Sequence, residues 1–180
     1  MKAHAATAPS QGPNAEALLP LRSVSCPSRS PLTPPTAPDW GLALGISTSD
    51  FAARAFTRDP SSLKSIRCFV RDTAVAWDIG AVAEDLTLVV NELTTNAVRH
   101  ALRSSPQREA KAWLGIARTA GTVLCAVSDP SPAPPLPHPP RSMAVAGRGL
   151  LVVDALTRQW GYAEAAPGKT VWARLNAHAH

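Results

Sequence analysis

This 180-residue chain has few cysteines and few aromatics, and neither positive charge nor apolar character gathers into long runs. The three cysteines, Cys26, Cys68 and Cys125, are odd in number, far apart and without a CxxC pair, so neither a disulfide framework nor a zinc site is expected. Cys68 and Cys125 read instead as small core hydrophobes. No stretch reaches the roughly 18 uninterrupted apolar residues of a membrane span, because GLLVVDAL is cut by Asp154. Nothing before Trp40 supplies a basic start followed by an apolar run of roughly 7 to 15 residues, so the expectation is a cytoplasmic protein without membrane contact. The formal net charge is +5, yet the basic residues stand singly (Arg54, Arg58, Lys64, Arg67, Arg71, Arg99, Arg103) with acids between them, and aromatics make up only 5%. No direct nucleic-acid partner is expected from that pattern; a solvated basic face or a docking surface for an acidic protein fits it better.

What the chain does have divides at about residue 48. Residues 1–48 are rich in Pro, Ser, Ala and Thr and carry no sustained period, which predicts a disordered tail. Residues 49–180 are expected to form one domain, within the size range of a single packed unit.

In that domain FAARAF (Phe51 to Phe56) suggests a short edge strand, and DPSS offers Asp59 as a helix cap with Pro60 at the first helical position. Leu63, Ile66, Phe69, Val70, Ala74 and Trp77 then recur at three- and four-residue steps, predicting a helix that the DIG turn ends. A second helix is predicted from about Val82 to Leu102, its apolar stripe formed by Leu86, Val89, Val90, Leu93, Ala97 and Ala101. AKAWLGIAR, a TAG turn and TVLCAVS read as two hairpin-joined strands. Seven prolines between Asp129 and Gly147 exclude regular structure there and predict a loop. GRGLLVVDALTRQWG turns from glycine-rich loop into a helix packed through Leu150, Leu151, Val153 and Leu156, and TVWARL (Thr170 to Leu175) closes the chain as a strand. Elements in this order predict an α+β sandwich, with helices on one face of a mainly antiparallel sheet.

The second helix carries ELTTNAVRHA, in which Glu92, Asn96 and His100 fall every fourth residue and would stack on one helix face. Phosphoryl transfer needs a cation against the phosphate oxygens and a group that takes the proton of the attacking hydroxyl. An Asn96 oxygen suits magnesium, which accepts one or two protein ligands, and Glu92 stands one turn earlier as a proton acceptor. Taken alone the pair reads more readily as polar residues at a helix edge. Asp129, just past an apolar strand, offers an acceptor for an exocyclic amine such as that of adenine, although alone it reads as a turn-former. Gly147 and Gly149 open a helix, where backbone N–H groups and the positive helix end suit phosphates; a GxG by itself is weak.

In sequence order the set is ExxxNAxxHA on a helix, Asp after a strand, a long lid, GRGL opening a helix and a terminal GKT strand. Together it resembles the ATP-binding domain shared by gyrase, histidine kinases and MutL. LVVNELTTNAVRHA and GRGLLVVDALTRQWG are similar in particular to the short actinobacterial serine kinase anti-sigma factors of the RsbW and SpoIIAB type, over roughly Asp50 to Leu175. The resemblance implies a Bergerat-type two-layer sandwich, with ATP and Mg2+ held under the proline-rich lid. It implies an anti-sigma factor that phosphorylates a serine or threonine on a STAS-type antagonist and sequesters a sigma factor, with a homodimer left open. By matching position Asn96 would bind magnesium and Glu92 would be the base. Asp129 would read adenine, Gly147, Arg148, Gly149 and Leu150 would wrap the phosphates, and Thr170 would complete the pocket. His100, whose role the resemblance does not supply, is expected to be a satisfied structural histidine.

The family's Asp-x-Gly is here Asp129-Pro130-Ser131, and MAVAG stands where related kinases carry acids before GRGL. The alternative reading is therefore a binding module of the same fold that regulates a partner without phosphoryl transfer. GKT at Gly168 to Thr170 is not a P-loop: Ala163 stands where that motif needs glycine, and a strand follows instead of a helix, so it reads as a strand-leading turn. His178 and His180 lack a third ligand for a metal. A histidine kinase is disfavoured, since a proline-rich tail precedes the domain rather than a dimerising helix pair.

Overall fold

The computed structural model describes Pro38 and residues 50–135, 149–165 and 168–177. The predicted tail apart from Pro38, most of the proline-rich lid, Gly147, Arg148 and the terminal histidines lie outside the described residues. Those described fall within one compact unit that spans Ala37–His180.

The chain enters through strand β1 (Phe51–Phe56). At its start the Asp50 carboxylate pairs with the Arg118 guanidinium, 2.6 Å from Nη2 to Oδ2, and the same guanidinium donates to the Trp77 carbonyl. Helix α1 (Pro60–Ala76) follows, with proline at its first turn as expected. Asp59 occupies the cap position, but its carboxylate takes the Thr57 hydroxyl at 3.1 Å instead of capping a first-turn amide. Asp, Thr and Ser this close together satisfy one another, which removes the side chain from the helix end.

The end of α1 is well defined. Ile79 N–H donates to the Ala74 carbonyl and Asp78 N–H to that of Val75, the paired bonds of a Schellman closure. The left-handed residue in it is Asp78, at φ 51°, and not Gly80. Ile79, buried, seals the turn apolarly.

Helix α2 (Ala83–Ala97) continues as a π-helical turn over Val98–Leu102, in which Arg103 N–H reaches back five residues to the Val98 carbonyl. All six residues of the predicted stripe are buried. The wide last turn breaks the four-residue column. Glu92 and Asn96 remain one α-turn apart, whereas His100 rotates out and is exposed, with no hydrogen bond among the described residues, so it is not the satisfied structural histidine expected.

Strands β2 (Ala112–Thr119) and β3 (Thr122–Asp129) form the predicted hairpin, turning through Gly121 at φ 77°. Asp129 is the last residue of β3, not the first beyond it. Helix α3 (Gly149–Leu156) buries Leu150 and Val153 and half-buries Leu156, while Leu151 faces outward at 49% exposure, against expectation. With 3.6 residues per turn, adjacent leucines cannot both face the core of a two-turn helix.

Two further strands complete the sheet: β4 (Gln159–Ala165) and β5 (Gly168–Asn176). The sequence pattern carries the helix stretch on to Gly161 and does not predict β4, because Thr157 and Arg158 supply no glycine or proline break. Instead the Thr157 hydroxyl bonds the Val153 carbonyl at the helix end, and the Trp160 indole donates to Asp154 of α3 at 3.3 Å. β5 starts two residues earlier than expected, so GKT is strand, not a leading turn.

The order is β1-β2-β3-β5-β4, and every pairing is antiparallel. Alternating residues of three central strands, Leu114 and Ile116, Cys125 and Val127, Val171 and Ala173, join Ile66 and Val70 of α1 and Leu86, Val89 and Leu93 of α2 in one core. This is the α+β sandwich the sequence predicts. Burial pushes the Cys125 thiol up to about 12, which keeps it a neutral hydrophobe; Cys68 is only partly buried.

Candidate functional site

Helix α2 treats its polar residues in two ways. Thr94, sealed in the core, returns its hydroxyl to the Val90 carbonyl at 2.7 Å and is satisfied within the helix. Glu92 and Asn96 are half-buried and make no side-chain hydrogen bond among the described residues. Polar groups at the edge of a core normally have partners, so two unpartnered ones a turn apart face a place where something else supplies them.

The first residue of α3 faces both. A Cβ on Gly149 would fall inside the contact distance of Glu92 Oε2, and would lie 3.4 Å from Glu92 Cδ and 3.7 Å from Asn96 Nδ2. Only glycine lets the N-terminus of α3 come this close to the carboxylate and the amide. The start of α3, one carboxylate and one carboxamide thus share a small volume. Leu150, next along, points into the core and anchors the helix start.

The second cluster lies at the ends of β3 and β5. Their register pairs Asp129 with Lys169. Lys169 Nζ donates to Asp129 Oδ1 at 2.9 Å and to the Ser131 carbonyl at 3.1 Å, while Ser131 N–H donates to the same Oδ1 at 2.9 Å. Oδ2 accepts nothing from the described residues. Burial raises the Asp129 carboxyl above its ordinary range; the Lys169 and Ser131 hydrogen bonds and the Lys169 and His100 charges pull it back only in part.

His100 lies four residues beyond Asn96 in the π-helical continuation of α2, and is the last and smallest of the influences that lower the Asp129 carboxyl. Gly168 provides the close approach that Ser131 does not. A Cβ there would strike the Asp129 carbonyl and come within 2.8 Å of Pro130, so β5 can lie against the Asp-Pro-Ser segment only with glycine at that point.

A family model described as the histidine kinase-like ATPase domain matches residues 56–175, well over half of the chain. The chain belongs to this family. None of the curated proteins compared with it matches. Membership makes it an ATP-binding domain, and the match spans both clusters: Glu92, Asn96 and Gly149 on one side, Asp129 and Lys169 on the other. Among the described residues no helix is long and apolar enough to cross a membrane.

Not every expected site residue fits this geometry equally. Thr170 is fully buried and its hydroxyl lacks a partner, but strand alternation turns it to the sheet face opposite Lys169. Its neighbour Lys169, for which the turn expected at GKT gives no role, is the residue that meets Asp129. The signal for it was present, since the period-two pattern of the last strand runs back through Lys169 to Gly168. Among the described residues no group of three or more His, Cys, Asp or Glu side chains could cage a metal. Magnesium needs no such cage. It keeps most of its waters and takes one or two protein oxygens beside a phosphate, which the unpartnered Asn96 carboxamide fits.

Proposed function

We infer that the chain is an ATP-dependent protein serine/threonine kinase of the RsbW and SpoIIAB type, acting as an anti-sigma factor that phosphorylates a STAS-type antagonist. The observation that carries this reading is the convergence of Glu92, Asn96 and the N-terminus of α3, made possible by Gly149. It puts an acceptor for a proton, an oxygen for a cation and N–H donors for phosphates within one volume.

In this reading Asp129 receives the adenine amine and the start of α3, with Gly147 and Arg148 ahead of it, receives the phosphates. Mg2+ would supply charge neutralisation at the phosphate oxygens, held on the protein side by Asn96. Glu92 takes the proton of the attacking serine or threonine hydroxyl as that oxygen bonds the γ-phosphorus and the bond to the ADP oxygen breaks. Two carboxyl-bearing side chains thereby divide the work, one at the base and one at the reacting hydroxyl. A sigma factor is the second partner, held or released with the state of the nucleotide.

The test is phosphate transfer. The purified chain with Mg-ATP is expected to label a STAS protein encoded beside it, and Glu92→Gln to bind ATP while losing at least 100-fold in labelling, the order of a positioned base. Full labelling by Glu92→Gln would remove Glu92 from this role, and ATP uptake without transfer to any such partner would favour the turnover-free binding module.

A further inference from the structure

The base-reading carboxylate is asymmetric. Each carboxylate oxygen has about two lone-pair positions, and both on Asp129 Oδ1 are taken, by Lys169 Nζ and by Ser131 N–H, each at 2.9 Å. Lys169 is held rigidly in this task. Its side chain is 6% exposed, its ammonium also donates to the Ser131 carbonyl at 3.1 Å, and Gly168 before it is clamped against Asp129 and Pro130. Among the described residues nothing donates to Oδ2, which is left as an acceptor.

We propose that Lys169 is a specificity-determining residue: by occupying Oδ1 it turns Asp129 into a single-acceptor reader that takes the amine of adenine and rejects guanine. This rests on the reading of Asp129 as the adenine contact and adds how that contact discriminates. Adenine presents one exocyclic amine beside an acceptor nitrogen, so one free oxygen satisfies its only donor on that edge. Guanine presents two adjacent donors, N1–H and the 2-amine, which an unencumbered carboxylate accepts through both oxygens. With Oδ1 saturated, one guanine donor is buried without a partner, and such a loss is worth roughly ten- to hundred-fold in affinity. Lys169 does not touch the base; it acts through Asp129.

The full chain is titrated calorimetrically with ATP, ITP and GTP in the presence of Mg2+. Hypoxanthine keeps the N1–H of guanine and lacks its 2-amine, so a single acceptor places ITP ahead of GTP, with ATP ahead of GTP by roughly ten-fold or more. A two-oxygen acceptor reverses ITP and GTP, and GTP binding more tightly than ITP overturns the proposal without any substitution being made. Lys169→Gln, which retains a donor for Oδ1, is expected to preserve the wild-type order. Lys169→Met, which has none, is expected, at a pH where Asp129 is ionised, to bring ATP and GTP within about three-fold of each other; an unchanged ratio there in a folded Lys169→Met chain also overturns it. Asp129→Ala separates the two levels. If it leaves ATP affinity unchanged, the adenine contact itself is misassigned; if it weakens ATP while Lys169→Met leaves the ratio intact, only the role of Lys169 fails.

Discussion

Across the β3–β5 ladder the Lys169 ammonium lies 2.9 Å from the Asp129 carboxylate, with side-chain exposures of 6% and 3%. Removing one member of a buried pair strands the other, at about 3–5 kcal/mol. Lys169→Met is therefore expected to be strongly destabilised at neutral pH.

The pH dependence has a definite sign. The folded Asp129 carboxyl is already raised by burial, and the Lys169 contributions that lower it vanish in Lys169→Met, so it rises further. A raised carboxyl favours the native state while protonated and loses that contribution as pH passes up through its folded value. The stability gap between wild type and variant should widen as pH rises through the wild-type folded value and narrow in acid. Urea unfolding from acid to neutral pH measures it, and a gap independent of pH would show that the two side chains are not energetically coupled.

Gly149→Ala separates site from fold. Alanine is the better helix former by about 1 kcal/mol, and the Cβ collides with the end of a flexible glutamate, not with backbone. The melting temperature should hold or rise slightly while ATP affinity falls at least about ten-fold, some 1.4 kcal/mol. Unaltered ATP affinity would mean that the approach of α3 to Glu92 does not shape the nucleotide site.

At the end of α1, Asp78 sits at φ 51° in a Schellman closure that normally carries glycine. Asp78→Gly relieves the Cβ strain and should stabilise the chain by about 0.5–1 kcal/mol, less the backbone entropy glycine adds to the unfolded state. The urea midpoint should rise with an unchanged slope. A lower midpoint would mean that the Asp78 side chain itself stabilises this turn.

Much of the sandwich was legible because α1 and α2 are amphipathic with a clean period and because TAG marks a hairpin turn. The failures have local causes. β4 hides because QWGYAEA is a half-exposed edge strand with small residues and no break before it. His100 left its column because a π-helical turn changes the residue count per turn, which spacing alone does not reveal. Lys169 is not legible from its local GKT context, because its partner Asp129 lies 40 residues away and meets it only through strand register. Glu92, Asn96 and Gly149 lie close together, while Gly147 and Arg148 lie outside the described residues.

In the proposed function Glu92, Asn96 and the start of α3 form the phosphate end of one ATP site whose base end is Asp129. Calorimetric titration of ATP into the wild-type chain and Asn96→Ala, each with and without Mg2+, decides whether they do. The expected result is ATP uptake by the wild type that tightens with Mg2+, and loss of that tightening in Asn96→Ala at unchanged melting temperature. Equal Mg2+ enhancement in both proteins, or no ATP uptake by the wild type, would contradict it.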